Sequence, residues 1–164
     1  VLNVGGGFGI SERFGQKSLD IDELGKQLKK FKDVHSNFDL WIEPGRFLVG
    51  SSGVLLTTVT QIKKKFNKIF VGCDTGMNSL IRYPLYGSYH EILNLSRMHE
   101  KASLLVDVVG PICESGDVFG HDRLVPKTTA VGDVLLVGTT GAYGYSMSSH
   151  YNLRAPAEEV YIQA

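Results

Sequence analysis

A thiol and a carboxylate stand side by side at Cys113 and Glu114, within Gly110-Pro111-Ile112-Cys113-Glu114-Ser115-Gly116-Asp117. A cysteine can give up a proton, and a carboxylate beside it can hold a polar or cationic group. Gly and Pro fix an unusual backbone path, so a short loop can aim both side chains at one point. The same octapeptide also has the composition of an ordinary turn leaving the strand-like run 103–109. Its neighbours in the chain must decide between the two.

Four other clusters carry polar chemistry. Gly5-Gly6-Gly7-Phe8-Gly9 follows a short apolar run, the strand-then-glycine order in which backbone N–H groups can converge on a phosphate. Glu43-Pro44-Gly45-Arg46 closes a second apolar segment, and in parallel α/β folds ligand sites lie at the carboxyl ends of strands. A glycine turn beside a fixed Glu and Arg suits an anionic cofactor with a basic ring nitrogen, although an ion-paired surface turn would read the same. Arg82, in Ile81-Arg82-Tyr83-Pro84-Leu85-Tyr86, could clamp a carboxylate bidentately or be a surface charge. Gly141-Ala142-Tyr143-Gly144-Tyr145 sets an aromatic hydroxyl in a glycine-flanked turn. His90, His99, His121 and His150 lack ligand spacing, so no metal site is expected.

The elements that must position these groups fall into two parts. Residues 1–4 read as a strand. Asp20 then caps a helix whose Ile21, Leu24, Leu28, Phe31 and Val34 share one face, expected to pack into the core. Residues 38–42 form a second strand, which makes a parallel βαβ unit. Residues 47–52 are a short helical or irregular connection. From Gly53 the pattern turns to β: 54–62 pairs with 68–73 across a lysine-rich turn, followed by strands at 90–95, 103–109, 134–137 and 160–162. The expectation is an α/β part over 1–52 and a β-domain over 53–164.

Composition narrows the function. Seventeen basic and seventeen acidic residues cancel, so no bulk field favours nucleic acid or an anionic membrane. The basic run Lys63-Lys64-Lys65 with Lys68 reads as a solvated turn. No apolar run approaches the roughly 20 residues of a membrane span, and no signal peptide is present. Two cysteines are too few for a disulfide framework, which makes a reduced, cytoplasmic setting the default. The chain opens on a strand without an initiator Met, as a piece of a longer protein would.

Taken in order, the glycine turn, Glu-Pro-Gly-Arg, the Arg82 segment, Cys113-Glu114-Ser115-Gly116-Asp117 and Gly141-Ala142-Tyr143 resemble the fold-type III pyridoxal phosphate decarboxylases. Most similar are the members that act on diaminopimelate in lysine biosynthesis. The resemblance runs from residue 1 to about 162. It implies the last βα units of an alanine-racemase-like (β/α)8 barrel followed by a C-terminal β-domain, sandwich- or barrel-like. It also implies pyridoxal 5'-phosphate as cofactor and an amino acid as substrate.

By motif, Gly5, Gly6, Gly7 and Gly45 would hold the cofactor phosphate, and Glu43 would face the ring nitrogen. Arg46, Arg82 and Tyr86 would bind substrate, Tyr143 would touch both, Cys113 would donate a proton, and Glu114 would contact the distal amino group. In the family the Cys loop enters the partner subunit's site, which implies a homodimer. Relatives acting on ornithine typically carry Asp after the Cys, so Glu114 and Arg82 together favour a substrate with a second carboxylate. Tyr83 before Pro84 departs from the family's Arg-Pro order. The Schiff-base lysine and the ring-stacking histidine have no match here, so this polypeptide alone is expected to be inactive. The alternatives are a sibling decarboxylase of the ornithine, arginine or carboxynorspermidine type, or a regulatory homologue without catalysis.

Overall fold

The structure, a computed structural model, describes residues 1–163. Helix α1 (Ile21–Val34) starts where the Asp20 carboxylate accepts the Glu23 N–H at 2.9 Å, which satisfies one of the orphan donors of the first turn. It links β1 (Leu2–Asn3) to β2 (Leu40–Trp41), and these pair in parallel with Leu2 opposite Leu40. The expected βαβ unit is present. Its helix is not buried as expected: Ile21, Phe31 and Val34 are exposed, and no described residue of α1 is buried. The apolar stripe needs a cover, and no other described segment supplies it.

Beyond β2 come α2 (Gly45–Val49) and a 3-10 turn (Gly50–Ser52), as the irregular connection required. Six strands then form one sheet: β3 (Leu55–Lys65), β4 (Lys68–Cys73), β5 (Ile92–Asn94), β6 (Ala102–Val109), β7 (Val118–Pro126) and β8 (Val134–Val137). Their order is β5-β8-β3-β4-β6-β7, antiparallel except for the parallel pair β4–β6. A parallel neighbour needs a long return connection. The chain from residue 74 to 101, which carries the short helix α3 (Arg82–Tyr86) and β5, provides it. The edge strands β5 and β7 approach each other, so the sheet curls almost into a barrel.

Alternation places Thr57 and Val59 of β3 inward, with Val71, Val106, Val108, Phe119, Val125, Leu135 and Val137 from the other strands. Burying each such aliphatic side chain contributes about 1.5–3 kcal/mol, enough to hold the sheet without a disulfide.

Three sequence expectations need correction. Val160, Tyr161 and Ile162 are exposed and outside any strand, because β-propensity forms no strand without an edge to pair with. Lys63, Lys64 and Lys65 belong to β3, and the turn proper is Phe66-Asn67, with Phe66 at φ +53°. Strand β7 went unseen because Gly120, His121 and Asp122 interrupt its pattern, Asp122 being left-handed at φ +52°. No helix among the described residues is long and apolar enough to cross a membrane.

Candidate active site

The glycine turn leaves β1 directly. Gly5 and Gly7 lie at φ +75° and +80°, where a side chain is strained. A Cβ on Gly6 would run into the Glu43 carbonyl oxygen. Asn3 knits the pieces together: its Nδ2 donates to Glu43 Oε1 at 2.6 Å, and its Oδ1 accepts the Gly5 N–H at 2.8 Å. The Glu43 N–H also donates to the Gly5 carbonyl, at 2.8 Å. A bare backbone turn therefore sits against a fixed carboxylate, which fits a phosphorylated ring whose nitrogen needs an anionic partner. One turn further on, Arg46 pairs with Glu12, Nη1 to Oε1, at 2.5 Å.

Arg82 opens α3 and is only 6% exposed, yet its Nε has no hydrogen-bond partner. Its Nη1 lies 3.4 Å from His90 Nε2, and the Tyr143 ring centroid is 5.9 Å from the guanidinium carbon. Burial pushes the Arg82 pKa down, and nearby Arg46 pushes it further. Glu12, Tyr143 and Tyr86 act in the opposite sense. The two guanidinium groups are thus close enough for one to feel the other's charge, a repulsion that an incoming carboxylate would relieve. Tyr143 is held at φ +61° on a turn pressed against the end of α2: Gly141 N–H donates to Gly50 O at 3.1 Å. Left-handed backbone at a non-glycine aromatic is strain that a functional position can store.

The Cys–Glu loop, residues 110–117, joins β6 to β7. Asp117 is buried and builds it, its two carboxylate oxygens accepting the Met77 and Ile112 N–H groups, each at 2.6 Å. Cys113 is exposed; its N–H donates to Asn152 Oδ1 at 2.8 Å. Glu114 accepts from Ser115 Oγ at 3.0 Å, the Gly116 N–H at 3.3 Å and Tyr151 Oη at 3.3 Å. Those donors, Gly116 first, hold its carboxyl below the usual range. The other cysteine, Cys73, is buried and its thiol is pushed up to about 12 by desolvation, so it stays protonated and inert.

The expected residues therefore divide into two groups. The first is linked in steps: the Gly5-Gly6-Gly7 turn meets Glu43, Gly45 and Arg46 follow at the start of α2, and Arg82, beside Tyr143, feels the charge of Arg46, while Tyr86 is exposed. Cys113 and Glu114 form a second group, whose hydrogen bonds run to Tyr151 and Asn152. Sequence reading gave no role to Asn3, Glu12, His90, Asp117, Tyr151 or Asn152, all of which act through folded contacts. Only Asp117, in the Ser-Gly-Asp end of the Cys loop, carried a local signal. No group of three or more His, Cys, Asp or Glu that could hold a metal occurs among the described residues.

The family described as pyridoxal-dependent decarboxylase, C-terminal sheet domain, matches residues 19–141. The diaminopimelate decarboxylase of Methanothermobacter thermautotrophicus is 43% identical over 168 residues, covering 99% of this chain and 39% of its own length. That of Archaeoglobus fulgidus is 42% identical over 165 residues, 98% of this chain and 39% of its own. Among solved structures, diaminopimelate decarboxylase from M. jannaschii in co-complex with L-lysine matches with a TM-score of 0.82 at 39% identity. It covers 94% of this chain and 36% of its own. The Helicobacter pylori enzyme complexed with L-lysine gives 0.80 at 37%, covering 92% and 36%. The chain spans about two fifths of the length of these relatives. A sheet of this topology, carrying this ordered set of polar clusters, belongs to the pyridoxal-dependent decarboxylases, as their C-terminal sheet domain.

Proposed function

We propose that the polypeptide carrying this sequence decarboxylates meso-2,6-diaminopimelate to L-lysine and CO2 with pyridoxal phosphate, as a step of lysine biosynthesis in the cytoplasm. The observation that carries this reading is Arg82: buried, with its Nε unpartnered, and near enough to Arg46 to feel its charge. An arginine in that state is arranged for a carboxylate that the substrate brings.

In this reading residues 1–52 are the end of the cofactor-binding barrel and residues 53–164 the β-domain. The backbone of Gly5, Gly6, Gly7 and Gly45 would hold the cofactor phosphate, and Glu43 would lie against its ring nitrogen. When bound, the cofactor supplies an electron sink for the electron pair released as the carbon–carbon bond breaks. The remaining work falls to this chain's side chains. Arg82 and Arg46 bind the distal carboxylate, with Tyr86 at the rim of the pocket. Tyr143 closes over cofactor and substrate. Cys113 carries the proton delivered to the α-carbon after CO2 leaves, and Glu114 holds the distal ammonium. Exposed Cys113 and Glu114 suit a loop that works in a second copy's site, so the assembly is a homodimer with shared sites.

The test is CO2 release by the full-length polypeptide from meso-diaminopimelate, ornithine and carboxynorspermidine. Diaminopimelate should be strongly preferred; equal or faster turnover of ornithine overturns the substrate assignment, and no CO2 from any of them overturns catalysis. Site sharing has its own test. Mixing Cys113→Ala with Arg82→Met protein, assayed at a diaminopimelate concentration far below the KM of the Arg82→Met variant so that neither alone turns over appreciably, should restore about a quarter of the activity, since half the dimers then hold one intact site. No recovery places the loop in its own subunit. The 164-residue chain alone, given pyridoxal phosphate and borohydride, should acquire no adduct.

A further inference from the structure

His90 is 0% exposed and stands two residues before the start of β5. Its Nδ1 lies 2.8 Å from the Gly138 carbonyl oxygen, which can only accept, so Nδ1 carries the proton. In a neutral imidazole that leaves a lone pair on Nε2, the atom 3.4 Å from Arg82 Nη1. A guanidinium can only donate, so this tautomer alone satisfies both neighbours. Burial, then the charge of Arg82, lowers the His90 pKa and favours the neutral ring, while the Gly138 bond and Glu12 act the other way.

Among the described residues His90 is the only side chain hydrogen-bonded to the Arg82 guanidinium. Gly138 begins the turn that passes through left-handed Thr139, at φ +54°, to Tyr143. One ring therefore touches both the arginine and the root of the tyrosine turn, which come from distant parts of the sequence. We infer that His90 is the positioning residue that aims Arg82 at the substrate's distal carboxylate and fixes it relative to the Tyr143 turn. The inference rests on the reading of Arg82 given under the proposed function. His90 touches neither substrate nor cofactor in this scheme; it acts through Arg82.

The experiment uses the full-length holoenzyme. His90→Asn keeps a donor where Nδ1 stood but removes the acceptor facing Arg82. Its KM for diaminopimelate should rise about tenfold with kcat within about twofold, and it should add nothing in an Arg82→Met background. His90→Gln, which can present a carbonyl oxygen to Arg82, should recover most of the KM. A fall in kcat at unchanged KM, or an equal loss with and without Arg82, overturns the inference. Should the variants not fold, 15N NMR of the wild-type protein decides alone: the neutral Nδ1–H tautomer is expected at about pH 8, where an unperturbed imidazole is neutral, and an Nε2–H tautomer overturns the inference. Failure of the underlying reading looks different, since Arg82→Met itself would then leave KM unchanged.

Discussion

Gly141 is where the Tyr143 turn meets the end of α2 and the 3-10 turn that follows it, and replacing it with alanine tests whether that contact matters. A Cβ there would strike the Val49 carbonyl oxygen and lie 2.8 Å from Gly53 N and 2.9 Å from Ser52 Oγ. The obstacle is mostly backbone, which cannot rotate away as a flexible side chain can. Its backbone φ is not left-handed, so the penalty is steric alone. Forcing a methyl into packed surroundings costs about 1–3 kcal/mol. Separating the strands of this contact also weakens Gly141 N–H to Gly50 O, 3.1 Å, and Thr140 N–H to Gly53 O, 2.9 Å. Each such bond is worth about 1 kcal/mol net. Alanine returns about 0.4–1 kcal/mol by restricting the unfolded chain. The expected net loss is therefore about 3 kcal/mol, read as a lower urea midpoint at unchanged m-value. Gly138→Ala is the matched control in the same turn, because its Cβ would meet nothing nearer than Glu91 at 3.7 Å, and it should stay within about 0.5 kcal/mol. If the two substitutions cost the same, close approach at Gly141 is not what shapes this turn.

Other consequences are equally direct. Iodoacetamide should add one label, at Cys113, while buried Cys73 stays unmodified until the chain unfolds; two labels at the same rate would contradict their assigned environments. Glu114 titrates low because Gly116, Ser115 and Tyr151 donate to it, so it stays anionic to lower pH than a free glutamate, and the stabilisation it gives disappears as pH falls through its folded pKa. Tyr151→Phe should move its 13C titration midpoint upward, and an unmoved midpoint rules out that contact in solution. Asp117→Ala strands one buried N–H, of Ile112, and one part-buried N–H, of Met77, and should cost about 2–4 kcal/mol in urea unfolding, with Cys113 becoming more rapidly alkylated as the loop loosens. Gly6→Ala should weaken pyridoxal phosphate binding by the full-length polypeptide at least tenfold by absorbance titration, since its Cβ displaces the Glu43 backbone.

The residues proposed to meet a ligand could be named from the sequence, because glycine turns, Glu-Pro-Gly-Arg and Cys-Glu are local patterns. Residues that hold those groups in place were not. Asn3 reaches Glu43 and Glu12 reaches Arg46 across more than thirty residues, and nothing in a window around Asn3 or Glu12 announces the partner. His90 was seen only as a histidine without metal spacing. The same division holds for the fold. Strands β3, β4, β6 and β8 showed themselves by β-branched runs, whereas β7 contains its own interruption at Asp122 and became a strand only because β6 offered an edge.

Helix α1 makes the distinction sharpest. Its period, its Asp20 cap and its apolar stripe were all readable, and all are present. What periodicity encodes is that one face is to be covered; it does not encode by what. In this chain Ile21, Phe31 and Val34 stay open, Val34 at 77% exposure. The neighbouring strands β1 and β2 likewise form a sheet of only two. Two strands and an amphipathic helix bury too little to be stable by themselves. The six-stranded sheet has a closed core and needs no such help. The glycine turn and Glu43 thus stand on the less supported part, and buried Arg82 on the better supported one. In this polypeptide hydrogen exchange should accordingly show β1, α1 and β2 opening before β3, β4 and β6, and simultaneous opening of both groups would contradict the argument.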